Sequence, residues 1–324
     1  MPEIETMRGR VDVADLGTTL MHEHVFVLTA EHIHNYGEGA FWDDDEQVAN
    51  AITKLNALHA KGIATIVDPT VMGLGRDIPR LQRVAAEVPL HIVVATGMYT
   101  YNDLPFVYAN RGPGGMLGGD EPMVPDFLRD LTEGIGDTGV KAAFLKCAVE
   151  HADMSPGVER ALRAVSRAHV ETGAPITVHT NPGQQTGSVA IPVLREEGVD
   201  LTKVVLGHSG DSNDLDHLKE LADTGAILGM DRFGVDVYNP TSDRVSTIVS
   251  LVEQGYGDRL VLSHDASCFI DWFGPDPESL RQALTPNWHY EHISDDVLPA
   301  LREAGVTDAQ IDQMLVTTPA RYFS

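Results

Sequence analysis

Two histidines one residue apart, His22 and His24, lie in Thr19-Leu20-Met21-His22-Glu23-His24. A helix would put such a pair on different faces, whereas the period-two alternation of a strand puts both on one face. Entered through Gly17-Thr18-Thr19-Leu20 as a short strand, the pair projects two imidazoles together and turns Glu23 the other way. That arrangement suits a metal ion, although His-x-His alone is equally compatible with a polar loop. His32-Ile33-His34 repeats the spacing with no strand before it and is expected to be loop. The chain also places Lys146, His179, His208 and Asp265 at the ends of β-branched, apolar runs. Any one of these has an ordinary structural explanation, such as a rim hydrogen bond, an ion pair or a helix cap. Imidazole and carboxylate without thiolate suit a divalent ion, Zn first, with Co, Mn or Fe as alternatives. Four histidines and a carboxylate exceed what one ion with an open position takes. They fit two ions about 3.5–4 Å apart that share a hydroxide and lower its pKa.

The elements that must position these groups follow from hydrophobic periodicity. Strand one ends at His24. Further strands are expected at 63–68, 91–97, 140–147, 175–179, 203–208, 226–232 and 259–265. In the fourth, Val140, Ala142 and Phe144 share a face with Lys146 and point it inward. Helices intervene: one follows the capping carboxylates Asp43-Asp44-Asp45, and others begin near Ile78, Phe127, Pro156, Ser188, Asp214 and Val245, with two more near 295–304 and 308–317. Eight strand–helix alternations without a linker predict a (β/α)₈ TIM barrel of class α/β, with residues 1–324 forming a single domain. A doubly wound open sheet is the runner-up, but no Gly-x-Gly-x-x-Gly follows strand one. A barrel gathers its active site at the C-terminal strand ends, so all six candidate ligands converge on one mouth. The glycine-rich stretch from about Asn110 to Pro125 lacks the Gly-Lys-Ser/Thr of a phosphate loop and reads as a mobile surface excursion.

Lys plus Arg number 23 against 48 Asp plus Glu, a net charge of −25, which argues against nucleic acid and anionic membrane surfaces. Two cysteines, Cys147 and Cys268, imply no disulfide framework. The first residues have neither a basic nor an apolar leader region, and no apolar run approaches a membrane span of about 20 residues. A cytoplasmic protein, and a homodimer, are expected.

His22-x-His24, Lys146, His179, His208 and Asp265, in this order, resemble the amidohydrolase superfamily. Ala95-Thr96-Gly97-Met98-Tyr99, Gly229-Met230-Asp231-Arg232-Phe233-Gly234 and Leu262-Ser263-His264-Asp265, followed by Cys268 and Trp272, make the chain more closely similar to the phosphotriesterase-like lactonases. The resemblance implies that His22, His24 and Asp265 hold the more buried metal, and His179 and His208 the more exposed one. Lys146 would be an N6-carboxylysine bridging both. Tyr99 would lie beside the metals and orient the hydroxide or substrate, Arg232 would shape the mouth, and Cys268, Phe269, Ile270 and Trp272 would line an apolar channel for an acyl chain. Asp265 would move the proton from the hydroxide to the leaving alkoxide. The activity so implied is hydrolysis of lactones, N-acyl-homoserine lactones foremost, with weaker action on phosphotriesters. The alternatives are a dedicated organophosphate hydrolase or another carboxylic ester hydrolase, and a barrel that binds ligand without turnover.

Overall fold

A computed structural model describes residues 2–37, 42–274 and 276–324. Met1, the first residue of the segment read for a leader, lies outside them. Eight parallel strands, in spatial order along the chain, form the barrel: β1 (Thr19–Leu20), β2 (Thr65–Asp68), β3 (His91–Gly97), β4 (Phe144–Val149), β5 (Ile176–Thr180), β6 (Val204–Gly207), β7 (Ile227–Met230) and β8 (Leu260–Leu262). The N–H of Met21 donates to the carbonyl of Leu262 at 3.3 Å and draws the last strand onto the first.

The sequence forms this architecture because its strands are buried on both faces. Ile66, Ile92, Leu145, Val178, Leu206 and Leu228 face outward into the layer of helices. Val67, Val93, Phe144, Val205, Ile227 and Val261 fill the interior below the mouth. Tyr322, from the C-terminal helix Thr318–Phe323, plugs the bottom and meets the Thr177 hydroxyl at 2.9 Å. The helix Asp44–Ala60 is capped by the Asp43 carboxylate, which accepts from the N–H of Glu46, as its acidic start predicts.

Several boundaries differ from expectation. Strand one stops at Leu20, and His24 instead opens a separate strand, His24–Val27, that pairs in parallel with Ser267–Ile270 outside the barrel. His32 and His34 are not in a loop but on the helix Ala30–Tyr36, where their spacing sends them apart. Strand four begins at Phe144, so Val140 and Ala142 precede it. They pack in the outer core, while Phe144 faces inward. The C-terminal end contains π-helical turns at Ile293–Val297 and Gln313–Thr317, joined to short α-helices. The glycine-rich stretch is tied down: Arg160 donates to the carbonyls of Tyr108 and Arg111 and pairs with Glu121. Among the described residues no helix is long and apolar enough to cross a membrane.

Candidate active site

Five of the six expected ligands are almost fully buried at the C-terminal mouth: His22, His24, Lys146, His179 and His208. They arrive by different routes. Lys146 and His179 stand on β4 and β5, whereas His208 follows β6 in a left-handed conformation (φ 67°). His22 follows β1, and Asp265 lies three residues beyond β8, also left-handed (φ 54°).

On one side, Nε2 of His22 and Nε2 of His24 lie 3.3 and 3.2 Å from the same Asp265 oxygen. On the other, Nε2 of His208 lies 2.9 Å from Nδ1 of His179. The remaining ring nitrogens are engaged. His24 Nδ1 meets the Thr70 hydroxyl at 2.7 Å, and His179 Nε2 meets Glu150 at 2.8 Å. His22 and His208 both turn Nδ1 to the buried Asp231, at 2.8 and 3.0 Å. One carboxylate therefore orients a histidine on each side of the centre, a role of the kind metal-ligating imidazoles require. Gly229 makes room for it: a Cβ there would lie 2.5 Å from the Asp231 carboxylate. Asp231 was in the quoted strand-seven motif, but nothing in its spacing showed that it reaches His22. Glu150 and Tyr101, the partners of His179, carry no sequence pattern that links them to it. Their signal was proximity to Lys146 and Tyr99 in the sequence.

The electrostatics suit a cation. Burial pulls the pKa of His22, His179 and His208 below the ordinary imidazole value, His179 to about 4, so the rings are neutral with free lone pairs. Burial opposes ionisation of Asp265, but the charged and hydrogen-bonding groups around it, the Arg232 guanidinium among them, outweigh it and hold the carboxyl well below its usual range. Burial also brings Lys146 down to about 8. Its Nζ lies 3.4 Å from His22 Nε2, and among the described residues it forms no ion pair. A fully buried amine with no direct ion pair among the described residues, beside convergent imidazole lone pairs, is a place that a carboxylated lysine between two dications would fit.

Arg232 donates through Nε to Asp265 at 2.9 Å and pairs with Asp211, which also binds the buried Arg244. Tyr99 bonds through its hydroxyl to Tyr101, and its own oxygen lies 3.4 Å from His179 Nδ1. Burial raises the Tyr99 pKa well above its ordinary value, so it remains a hydroxyl. Arg232, Asp265, Tyr99, Tyr101, Lys146 and the four histidines floor a cavity of about 370 Å³. Ile270 and Trp272 line it, as do Val237, Tyr238, Leu280 and Leu284. Cys268 and Phe269 do not line it. The strand Ser267–Ile270 packs Phe269 on Trp42 and sets the Cys268 sulfur 3.3 Å from the Tyr290 hydroxyl, so both border a separate, more open cleft.

A model of the phosphotriesterase family matches residues 2–323. The chain belongs to the phosphotriesterase family. This family member is 54% identical over 323 residues to a phosphotriesterase homology protein of Mycobacterium tuberculosis, covering 100% of this chain and 98% of that one. It is 36% identical to an aryldialkylphosphatase of Saccharolobus solfataricus, with 98% of each chain covered. A solved structure of the phosphotriesterase from Mycobacterium tuberculosis superposes with a TM-score of 0.97 at 54% identity, over 100% of this chain and 98% of that one. The phosphotriesterase-family chain is thus a hydrolase, and its barrel matches a phosphotriesterase barrel throughout.

Proposed function

We propose that this hydrolase is metal-dependent and opens lactones bearing an apolar tail, N-acyl-homoserine lactones foremost, with weaker activity on phosphotriesters. The observation that carries this reading is the cavity itself: a deep polar floor under an apolar rim, of a volume in the range of small-molecule sites. His22, His24 and Asp265 would hold one divalent ion and His179 and His208 another, with Lys146 as an N6-carboxylysine shared by both. Bound there, two ions would supply a water of lowered pKa and polarise the substrate's carbonyl or phosphoryl oxygen.

The chain's own residues do the rest. Asp265 is held ionised, so it can accept a proton at its carboxylate and return one to the leaving alkoxide. Arg232 fixes the carboxylate from the other side. Tyr99, kept protonated by burial, donates a hydrogen bond into the floor and orients the electrophile. Trp272, Tyr238 and Leu284 cover the acyl chain and exclude water. The aryldialkylphosphatase relative supports a phosphotriester as the competing substrate. The deciding measurement is kcat/KM on metal-loaded protein for a series of lactones of increasing acyl length and one aryl dialkyl phosphate. Lactones are expected to lead, and a phosphotriester hydrolysed faster than every lactone would overturn the assignment.

A further inference from the structure

The least exposed carboxylate among the described residues lies between the two histidines of the opening motif. Glu23 is 0% exposed. Its Oε1 accepts from the Ser263 hydroxyl at 2.8 Å, from the backbone N–H of His264 at 2.8 Å and from His264 Nδ1 at 2.6 Å. Its Oε2 accepts from the backbone N–H of Ala266 at 3.1 Å. The tautomer of His264 follows from its second nitrogen, because Nε2 accepts the N–H of Ile293 at 2.9 Å, leaving the proton on Nδ1. Among the described residues, the donors to the Glu23 carboxylate come from one short segment, 263–266, and its two backbone donors flank Asp265.

That segment has a conformational problem. Asp265 is left-handed, an uncommon conformation for a residue with a Cβ, although Asp tolerates it better than most. Its own N–H is fixed to the carbonyl of His22 at 3.0 Å, and the N–H of His24 to the carbonyl of Ala266 at 2.8 Å. The Ser263 hydroxyl that donates to Glu23 accepts from the N–H of His22 at 2.8 Å. The loops after β1 and β8 are thereby laced together with Glu23 at the centre.

We infer that Glu23 is a positioning residue that clamps the peptides on both sides of Asp265, holds it in its left-handed turn and so sets its carboxylate against His22 and His24. Glutamine is nearly isosteric but presents an NH₂ to the Ala266 N–H, so one clamp becomes a donor facing a donor. The inference rests on the metal reading of the site for its consequence but not for its geometry, and the two are separated by two readouts. The first is chelator-driven ion loss from the protein as purified, parent against Glu23→Gln. Loss is expected to be about 10–100-fold faster in the variant, the size typical of residues that orient metal ligands. The second is the urea midpoint, measured on metal-stripped protein, of the parent, Glu23→Gln, Asp265→Gly and the double variant. Glycine adopts the left-handed turn freely. Glu23→Gln is therefore expected to lower the midpoint less in the Asp265→Gly background. If Glu23→Gln alone does not fold, the double variant is expected to fold. Unchanged ion loss, an equal midpoint shift in both backgrounds, or failure of Asp265→Gly to restore folding would each overturn the clamp. A parent protein that holds no ion would instead refute the metal reading, and the midpoint comparison would still decide the clamp.

Discussion

At the floor of the cavity His22, His24, Lys146, His179 and His208 are 1–6% exposed, whereas at its rim Val237, Tyr238, Trp272 and Leu284 are 54–66% exposed. The floor groups come from different strand ends and share partners: Asp231 serves two histidines, and Asp265 meets two histidines and Arg232. A change there leaves buried polar atoms unpaired and is felt by the whole cluster. The rim groups come from the segments after β7 and β8, Leu284 from the end of the helix Pro277–Leu284. Among their side chains, one specific contact is the Tyr238 ring, which sits 5.2 Å from the Arg232 guanidinium. The rim can therefore vary in shape without disturbing the centre, which is how one barrel chemistry accommodates different substrates.

The largest effect that would sharpen this contrast is at Lys146. Lys146→Ala is expected to abolish turnover, and added short-chain carboxylic acid to restore part of it, because the group removed under the proposed function is a carboxylate bridge. Rescue by a small amine instead would show that Lys146 works as an ammonium.

Asp265→Asn is expected to lower kcat by about 10²–10⁴-fold, the usual contribution of a positioned proton-transfer group. Steady-state kinetics on a variant with its ion content measured checks this, and near-parent kcat at full loading would remove the proton role from Asp265. One step further out, Asp231→Asn keeps the size but weakens the acceptor for both His22 and His208. It is expected to weaken metal binding about 10–100-fold. Chelator titration reads this out, and an effect on only one ion would mean the shared carboxylate does not couple the two sides.

The pH dependence of the floor has a defined sign. Burial holds His179 neutral with a folded pKa of about 4, below its unfolded value of about 6.5. The unfolded chain therefore binds the extra proton between those values, and this group costs metal-free protein stability as pH falls from about 6.5 to about 4. Urea midpoints of metal-stripped parent and His179→Gln across that window are expected to converge as the pH falls. Parallel curves would show that the imidazole is not held neutral.

The smallest effect belongs to the rim. Trp272→Ala is expected to lower kcat/KM for long-chain lactones by about fourfold for each methylene whose burial it removes, or about 0.8 kcal/mol. Short-chain lactones should be spared and phosphotriester turnover unchanged or raised. A loss that is the same for every substrate would place Trp272 among the groups that support the floor, erasing the distinction.

The sequence by itself determined the architecture and the residue types gathered at the mouth. Strand runs buried on both faces, helices at regular intervals and capping carboxylates such as Asp43 are local patterns. Residues at the ends of eight such strands must meet at one mouth. His22, His24, Lys146, His179, His208 and Asp265 were readable for that reason. What tertiary structure decided are relations between residues far apart in the chain. Asp231 reaches His22 across the mouth, Glu150 orients His179, and Glu23 grips the peptides around Asp265. Periodicity carries no record of these contacts, because a hydrogen bond between residues 209 or 241 positions apart is set by how the barrel closes. The same holds for Cys268 and Phe269. Their apolar character was legible, but pairing of Ser267–Ile270 with His24–Val27 turned them away from the cavity and left Ile270 and Trp272 on it. His32 and His34 share the spacing of His22 and His24, and a helix separates one pair while the barrel mouth unites the other.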